Sequence, residues 1–143
     1  MKFLLIVVLG FILFTLIRNI LSPAPSSSSV PVITPADAAA AVREGTAIII
    51  DVREPKEWES GVAAPAYLLP LSDLKATRKK WAHVLAEAKD KQVILYCRSG
   101  GRAVQAAAIL AKEGFAVANA GGFNDWLTAK LPIRPPADPA GNE

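Results

Sequence analysis

The 143-residue sequence holds one cysteine, Cys97, and one histidine, His83. A lone cysteine excludes an intramolecular disulfide, and one Cys with one His cannot supply the usual Cys/His ligand set of a metal site, so neither metal nor cofactor is expected. Net charge is also scarce. Of 16 basic residues, Lys2 and Arg18 lie in the first 29 positions with no acid beside them, which leaves 14 basic and 13 acidic side chains, net +1, in the remainder. No basic stripe with interleaved aromatics occurs, and nucleic-acid binding is not expected. No internal repeat is visible.

Apolar residues are plentiful but uneven. Phe3 to Ile17 reads FLLIVVLGFILFTLI, preceded by Lys2 and followed by Arg18. With no polar face, this stretch does not suit a soluble amphipathic helix. It suits a transmembrane anchor over residues 1–21, whose apolar part (3–21) approaches the roughly 20 residues that span a bilayer, or a signal peptide. A small-residue cleavage site is poor: Pro25 follows Ser22-Pro23-Ala24, and Arg18 directly trails the apolar core. The free N-terminus plus Lys2 should stay inside. The expected location is therefore membrane-anchored with the domain outside the cytoplasm (periplasmic in a Gram-negative cell), the alternative being release after signal cleavage. Residues 22–31, SPAPSSSSVP, form a Pro/Ser linker with too little apolar surface to pack. Residues 134–143, rich in proline, read as a tail.

Between them, over 32–133, strands and helices alternate. Val32-Ile33 is a short apolar entry. Thr34-Pro35 caps a helix continuing to Arg43, and Gly45 ends it. Ala47–Ile50 and Val93–Tyr96 are short, wholly apolar strands of the kind buried on both faces. Tyr67–Leu69 is a weaker strand, and Val117–Ala118 a last one. Leu71, Leu74, Trp81, Leu85 and Ala88 recur at helical spacing and predict one long helix ending near Lys89. Arg102–Glu113 predicts another, with Val104, Ala107, Ala108 and Ala111 inward and Gly114 as stop. This alternation argues for a mostly parallel sheet covered by helices on both faces.

The chemistry concentrates in Cys97-Arg98-Ser99-Gly100-Gly101-Arg102. Ligands of open α/β sheets bind beyond the carboxyl ends of the strands. Cys97 is placed there, after one strand and before one helix. A helix start aims unpaired N–H groups and partial positive charge at the sulfur. Gly100 and Gly101 let the backbone curl so that amides converge on one anion. Arg98 and Arg102 add permanent positive charge. All three favour thiolate over thiol, and the same cradle suits an anionic substrate such as a thiosulfonate or an arsenate-like oxyanion. An inert buried cysteine is the alternative, but a loop with two arginines and two glycines has no packing rationale.

Asp51-Val52-Arg53-Glu54 with Trp58 downstream, the CRSGGR loop, and Gly121-Gly122-Phe123-Asn124-Asp125-Trp126 together resemble the rhodanese-like domain, over about residues 32–133. The resemblance implies a single α/β domain with a central five-stranded parallel sheet and helices on both faces, here preceded by the N-terminal apolar helix. It implies a sulfurtransferase in which Cys97 attacks a small anionic sulfur donor such as thiosulfate, sulfite leaves, and the Cys97 persulfide passes its sulfur to cyanide, a cellular thiol or a protein acceptor. Arg98, Ser99, Gly100, Gly101 and Arg102 would bind the substrate. Related phosphatases and arsenate reductases have one more residue between cysteine and arginine. The four residues between Cys97 and Arg102 resemble the sulfur-transferring loop. The alternatives are a persulfide carrier or protein-binding module without turnover and, further off, an arsenate-reductase or phosphatase-like thiol enzyme.

The sequence departs from the family pattern in two places. Val62, in Gly61-Val62-Ala63-Ala64-Pro65-Ala66, replaces a common histidine, which implies a more apolar site rim. Ala103 stands where a hydroxyl residue is common. Asp51 and Arg53 are candidate rim residues. Their structural reading has Asp51 accepting backbone hydrogen bonds and Arg53 pairing with an acid such as Glu57. Trp58, Trp81 and Trp126 read as packing aromatics, His83 as solvated, and Arg78-Lys79-Lys80 as a solvated helix face.

Overall fold

The structure, a computed structural model, describes residues 29–137. The anchor or signal segment 1–21 and most of the linker lie outside them. Among the described residues no helix is long and apolar enough to cross a membrane.

Helix α1 (Pro35–Arg43) leads into β1 (Ala47–Asp51), a one-turn α2 (Pro55–Trp58) and two short strands, β2 (Val62–Ala63) and β3 (Tyr67–Leu68). Helices α3 (Leu71–Leu74) and α4 (Lys79–Glu87) precede β4 (Gln92–Cys97) and α5 (Gly101–Lys112). The chain closes with β5 (Val117–Gly122), α6 (Phe123–Thr128) and β6 (Ile133–Arg134). The main sheet is parallel, in the order β3-β1-β4-β5, and β2 pairs antiparallel with β6 in a separate ribbon.

Among the described residues the sheet thus has four strands where five were expected. The missing one survives as a single parallel bridge between Val32 and Asn119. The Asn119 N–H donates to the Pro31 carbonyl at 2.8 Å, and the Ile33 N–H to the Asn119 carbonyl at 3.0 Å. Pro31 has no N–H to offer, and Thr34 already caps α1 through the Asp37 amide, so too few residues remain for a ladder.

Alternation along the strands makes two cores. Ile48, Ile50, Val93, Leu95 and Cys97 face α3, α4 and α5. Ile49, Ile94, Tyr96, Ala118 and Ala120 face α1 and α6. The long helix predicted from Leu71 to Lys89 is instead α3 and α4. Asp73 breaks it: its carbonyl takes the Arg78 N–H and its carboxylate the Thr77 hydroxyl. Arg78 then turns left-handed, at φ 56°. Leu71, Leu74, Trp81, Leu85 and Ala88 are all buried nonetheless, because both helices lie on one face. Arg78 is also less solvated than its run of charge predicts, since it bonds the Leu74 carbonyl and Glu113. His83 is exposed beside Glu87.

The inward face of α5 carries Ala103, Ala106, Ala107 and Leu110; of the expected set only Ala107 is buried, while Val104, Ala108 and Ala111 are exposed. Alanines on every side of this helix left its hydropathy without a sharp direction. The three tryptophans pack inside, as expected. Arg134, placed in the tail by composition, is instead in β6. Its guanidinium donates to the carbonyls of Ala64 at 3.0 Å and Ala66 at 2.7 Å.

Candidate active site

Strand β4 runs one residue further than the apolar pattern indicated, so Cys97 is its last residue, paired with Gly122 of β5 after a register shift beyond Leu95. The thiol is almost wholly buried, at 1% exposure. The Gly100 N–H donates to Sγ at 3.0 Å. Gly100 can curl back this way because it caps α5 with φ 94°, a left-handed conformation costly for other residues. The first amides of α5, which begins at Gly101, have no intrahelical acceptor. Arg98 and Ser99 form the exposed tip of the loop.

The loop rests on β5. A Cβ at Gly122 would lie 2.3 Å from the Arg98 carbonyl oxygen, so only glycine admits the loop backbone there. Asn119, 6% exposed, braces the loop from beneath. Its Nδ2 donates to the Gly100 carbonyl at 3.5 Å, and its Oδ1 accepts from the Gly121 amide at 2.9 Å. Sequence reasoning passed over Asn119, since a lone asparagine in an apolar strand signals no partner.

Arg102 does not stand free beside the sulfur. Its Nη1 and Nη2 bond the two oxygens of Glu57 at 2.6 and 2.7 Å. That hydrogen-bonded pair lowers the Glu57 pKa from its ordinary 4.5 to about 2 and raises that of Arg102, to which the Cys97 sulfur adds. Glu57 was matched in the sequence to Arg53, four residues away. The 45-residue separation of the actual pair leaves no local signal.

Arg53 takes Asp51 instead. Its Nε reaches both carboxylate oxygens at 3.0 Å and its Nη2 one of them at 2.7 Å. Asp51 also accepts the Arg53 amide at 2.9 Å and the Tyr96 hydroxyl at 2.6 Å. Burial, with the Asp51 charge second, pushes the Tyr96 phenol pKa up. Arg53 further holds the carbonyls of Glu57 and Gly61 and lies over the Phe123 ring at 4.3 Å. Both residues are therefore an interior clamp, 0% and 3% exposed, and not a rim. Val62 is fully buried in the β2–β6 ribbon, so it adds no apolar surface to the site. Ala103 is likewise buried, against the sheet. Among the described residues no group of three or more His, Cys, Asp or Glu could hold a metal ion.

This arrangement can hold an anion over a fixed sulfur. Residues 34–129 match the family model of the rhodanese-like domain. The chain belongs to the rhodanese-like family. It is 34% identical over 91 residues to a sulfurtransferase of Allochromatium vinosum, covering 62% of this chain and 79% of that one. It is 33% identical over 88 residues to a putative mitochondrial thiosulfate sulfurtransferase of Schizosaccharomyces pombe, covering 56% of this chain and 61% of that relative's length. Among solved structures, a rhodanese-related protein from Thermoplasma volcanium superposes with a TM-score of 0.61 at 28% identity, covering 73% of this chain and 97% of that one. At family level this is a rhodanese-type transferase fold with sulfurtransferases among its relatives.

Proposed function

We propose that the protein is a sulfurtransferase that carries sulfane sulfur on Cys97. The observation that carries this reading is the Gly100 N–H aimed at Cys97 Sγ from the start of α5. Thiolate attack on the outer sulfur of thiosulfate forms an S–S bond to Sγ. The bond to the sulfonate sulfur breaks, and its electron pair leaves with sulfite. An acceptor thiolate or cyanide then attacks the outer sulfur of the persulfide and restores the Cys97 thiolate. The loop amides and the first turn of α5 stabilise negative charge in both steps without reorganising. Arg98 and Ser99, at the exposed tip, are placed to meet a donor arriving from solvent.

The likeness to named sulfurtransferases supports this reading, and so does the loop length. The four residues between Cys97 and Arg102 resemble the sulfur-transferring loop, one residue shorter than that of the related phosphatases and arsenate reductases. Residues 3–21 supply the basis for placing the domain outside the cytoplasm on a membrane tether, and protease protection in intact and permeabilised cells tests that placement. The chemistry is tested by incubating the protein with thiosulfate and cyanide. Wild-type protein releases sulfite and gains the mass of one sulfur atom on Cys97, and Cys97→Ser does neither. Full turnover by Cys97→Ser overturns the proposal.

A further inference from the structure

The two arginines of the loop are not equivalent. Arg98 is exposed and forms no ion pair among the described residues, whereas Arg102 is held by both oxygens of Glu57. Glu57 is no ordinary surface partner. Its Oε2 also accepts the Glu54 amide at 3.0 Å. Its own carbonyl is held by Arg53 Nη1 at 3.1 Å, and the Gly61 carbonyl beyond it by Nη2 at 2.7 Å. Arg53 is in turn locked to the buried Asp51. Exposed ion pairs contribute little because both partners wander. Here the backbone beneath the carboxylate is tied to the interior, so its negative charge has a fixed place at the loop.

A fixed anion there changes what the loop attracts. Arg98 and Arg102 together would suit a dianion; with Glu57 bound, they present the field of about one cation. We propose that Glu57 is a specificity-determining residue, whose carboxylate cancels the Arg102 charge and makes the loop favour donors with one negative charge or none at the reacting end, such as a persulfide R–S–SH, over dianionic thiosulfate. The proposal rests on the Cys97 persulfide reading above. With such a donor, the Cys97 thiolate bonds to the terminal sulfur, the R–S to S bond breaks, the donor leaves as the thiolate RS⁻, and the proton stays on the new Cys97 persulfide.

The experiment is single-turnover loading of Cys97 in the full chain, quenched and read by intact mass. The two donors are thiosulfate and the hydropersulfide of an uncharged alkyl thiol. A dianion feels twice the repulsion of a monoanion, so Glu57→Gln should speed thiosulfate loading about tenfold and persulfide loading about threefold or less. Glu57→Ala, which removes the same charge, should move the donor ratio in the same direction even if it is less stable. Glu57→Asp keeps the charge and should leave the ratio within about twofold of wild type, whatever happens to the absolute rates. A ratio unmoved by Glu57→Gln and Glu57→Ala, or a fall in thiosulfate loading alone, overturns the inference and leaves Glu57 a structural clamp. Absence of any mass gain with either donor in wild-type protein overturns the sulfurtransferase reading itself, a result distinct from a gain with an unmoved ratio.

Discussion

Gly122→Ala tests whether the seat of the loop controls its chemistry. The backbone at Gly122 has φ −111° and ψ 159°, which alanine adopts freely, so the substitution carries no conformational penalty and its effect is steric. The added Cβ lies 2.3 Å from the Arg98 carbonyl oxygen, 3.0 Å from the carbonyl carbon and 3.2 Å from Ser99 Cα. All three atoms are backbone and no rotamer relieves the clash. Restoring ordinary contact moves the Arg98–Ser99 peptide by about 1 Å, at a cost in the range of about 1–3 kcal/mol for overpacking. A misplacement of about 1 Å at reacting groups lowers rates by about a hundredfold. The matching control is Gly45→Ala. Gly45 has φ 76° and open space around its Cβ position, so that change costs about 1–2 kcal/mol for the left-handed backbone and leaves the loop alone. Urea denaturation gives the stability of both variants, and sulfur loading on Cys97 under thiosulfate gives the rate. The expected pattern is a stability loss in both and a loss of loading in Gly122→Ala only. Loading in Gly122→Ala within twofold of wild type, at an unshifted urea midpoint, would refute the account of the loop's seat.

Two further outcomes follow from the ion pairs. Asp51→Ala leaves the Arg53 guanidinium buried without its anion and removes the acceptor of the Tyr96 hydroxyl, so it should destabilise the domain by about 3–5 kcal/mol in urea unfolding, far more than loss of an exposed pair. Glu57, whose pKa is lowered from 4.5 to about 2 chiefly by its hydrogen bonds to Arg102, binds fewer protons folded than unfolded. Its stabilisation is therefore complete above pH 4.5 and fades as pH falls toward 2, by on the order of 1 kcal/mol after solvent screening. Glu57→Gln should remove that part of the acid-induced loss in urea titrations at successive pH values, and an identical acid profile in the variant would contradict the assignment.

Much of the fold was legible because it depends on local pattern. Two wholly apolar strands, a capped helix after Thr34-Pro35 and a glycine-rich turn after the second strand each have a physical signature within a few residues. Cys97 was legible for the same reason: strand end, glycines and helix start are neighbours in sequence. The errors fall where distance or degeneracy enters. Arg53 was matched with an acid such as Glu57, four residues on, while in space Asp51, two residues back, reaches Arg53 and Glu57 reaches across to Arg102. The direction of α5 was misjudged because alanine lines both its faces, and the expected fifth strand was cut to one bridge by Pro31 and the cap at Thr34. Val62 illustrates the limit of reading one substitution as a change of surface. Its place in a buried ribbon is decided by Arg134, 72 residues away in the chain.

The single bridge at Val32 also has a mechanical consequence. The chain enters the domain through Pro31 and Ile33, and both hydrogen bonds it makes there are to the backbone of Asn119, the residue whose side chain braces Gly100. A pull on the lead-in would therefore fall on the same short stretch of β5 that steadies the loop, with no further strand among the described residues to share it. A chain trimmed to begin at residue 34 would leave the Asn119 amide and carbonyl without these partners. The point where the lead-in joins the sheet and the point of reaction share one residue, so the pairing at Val32 also bears on how firmly the cysteine is held.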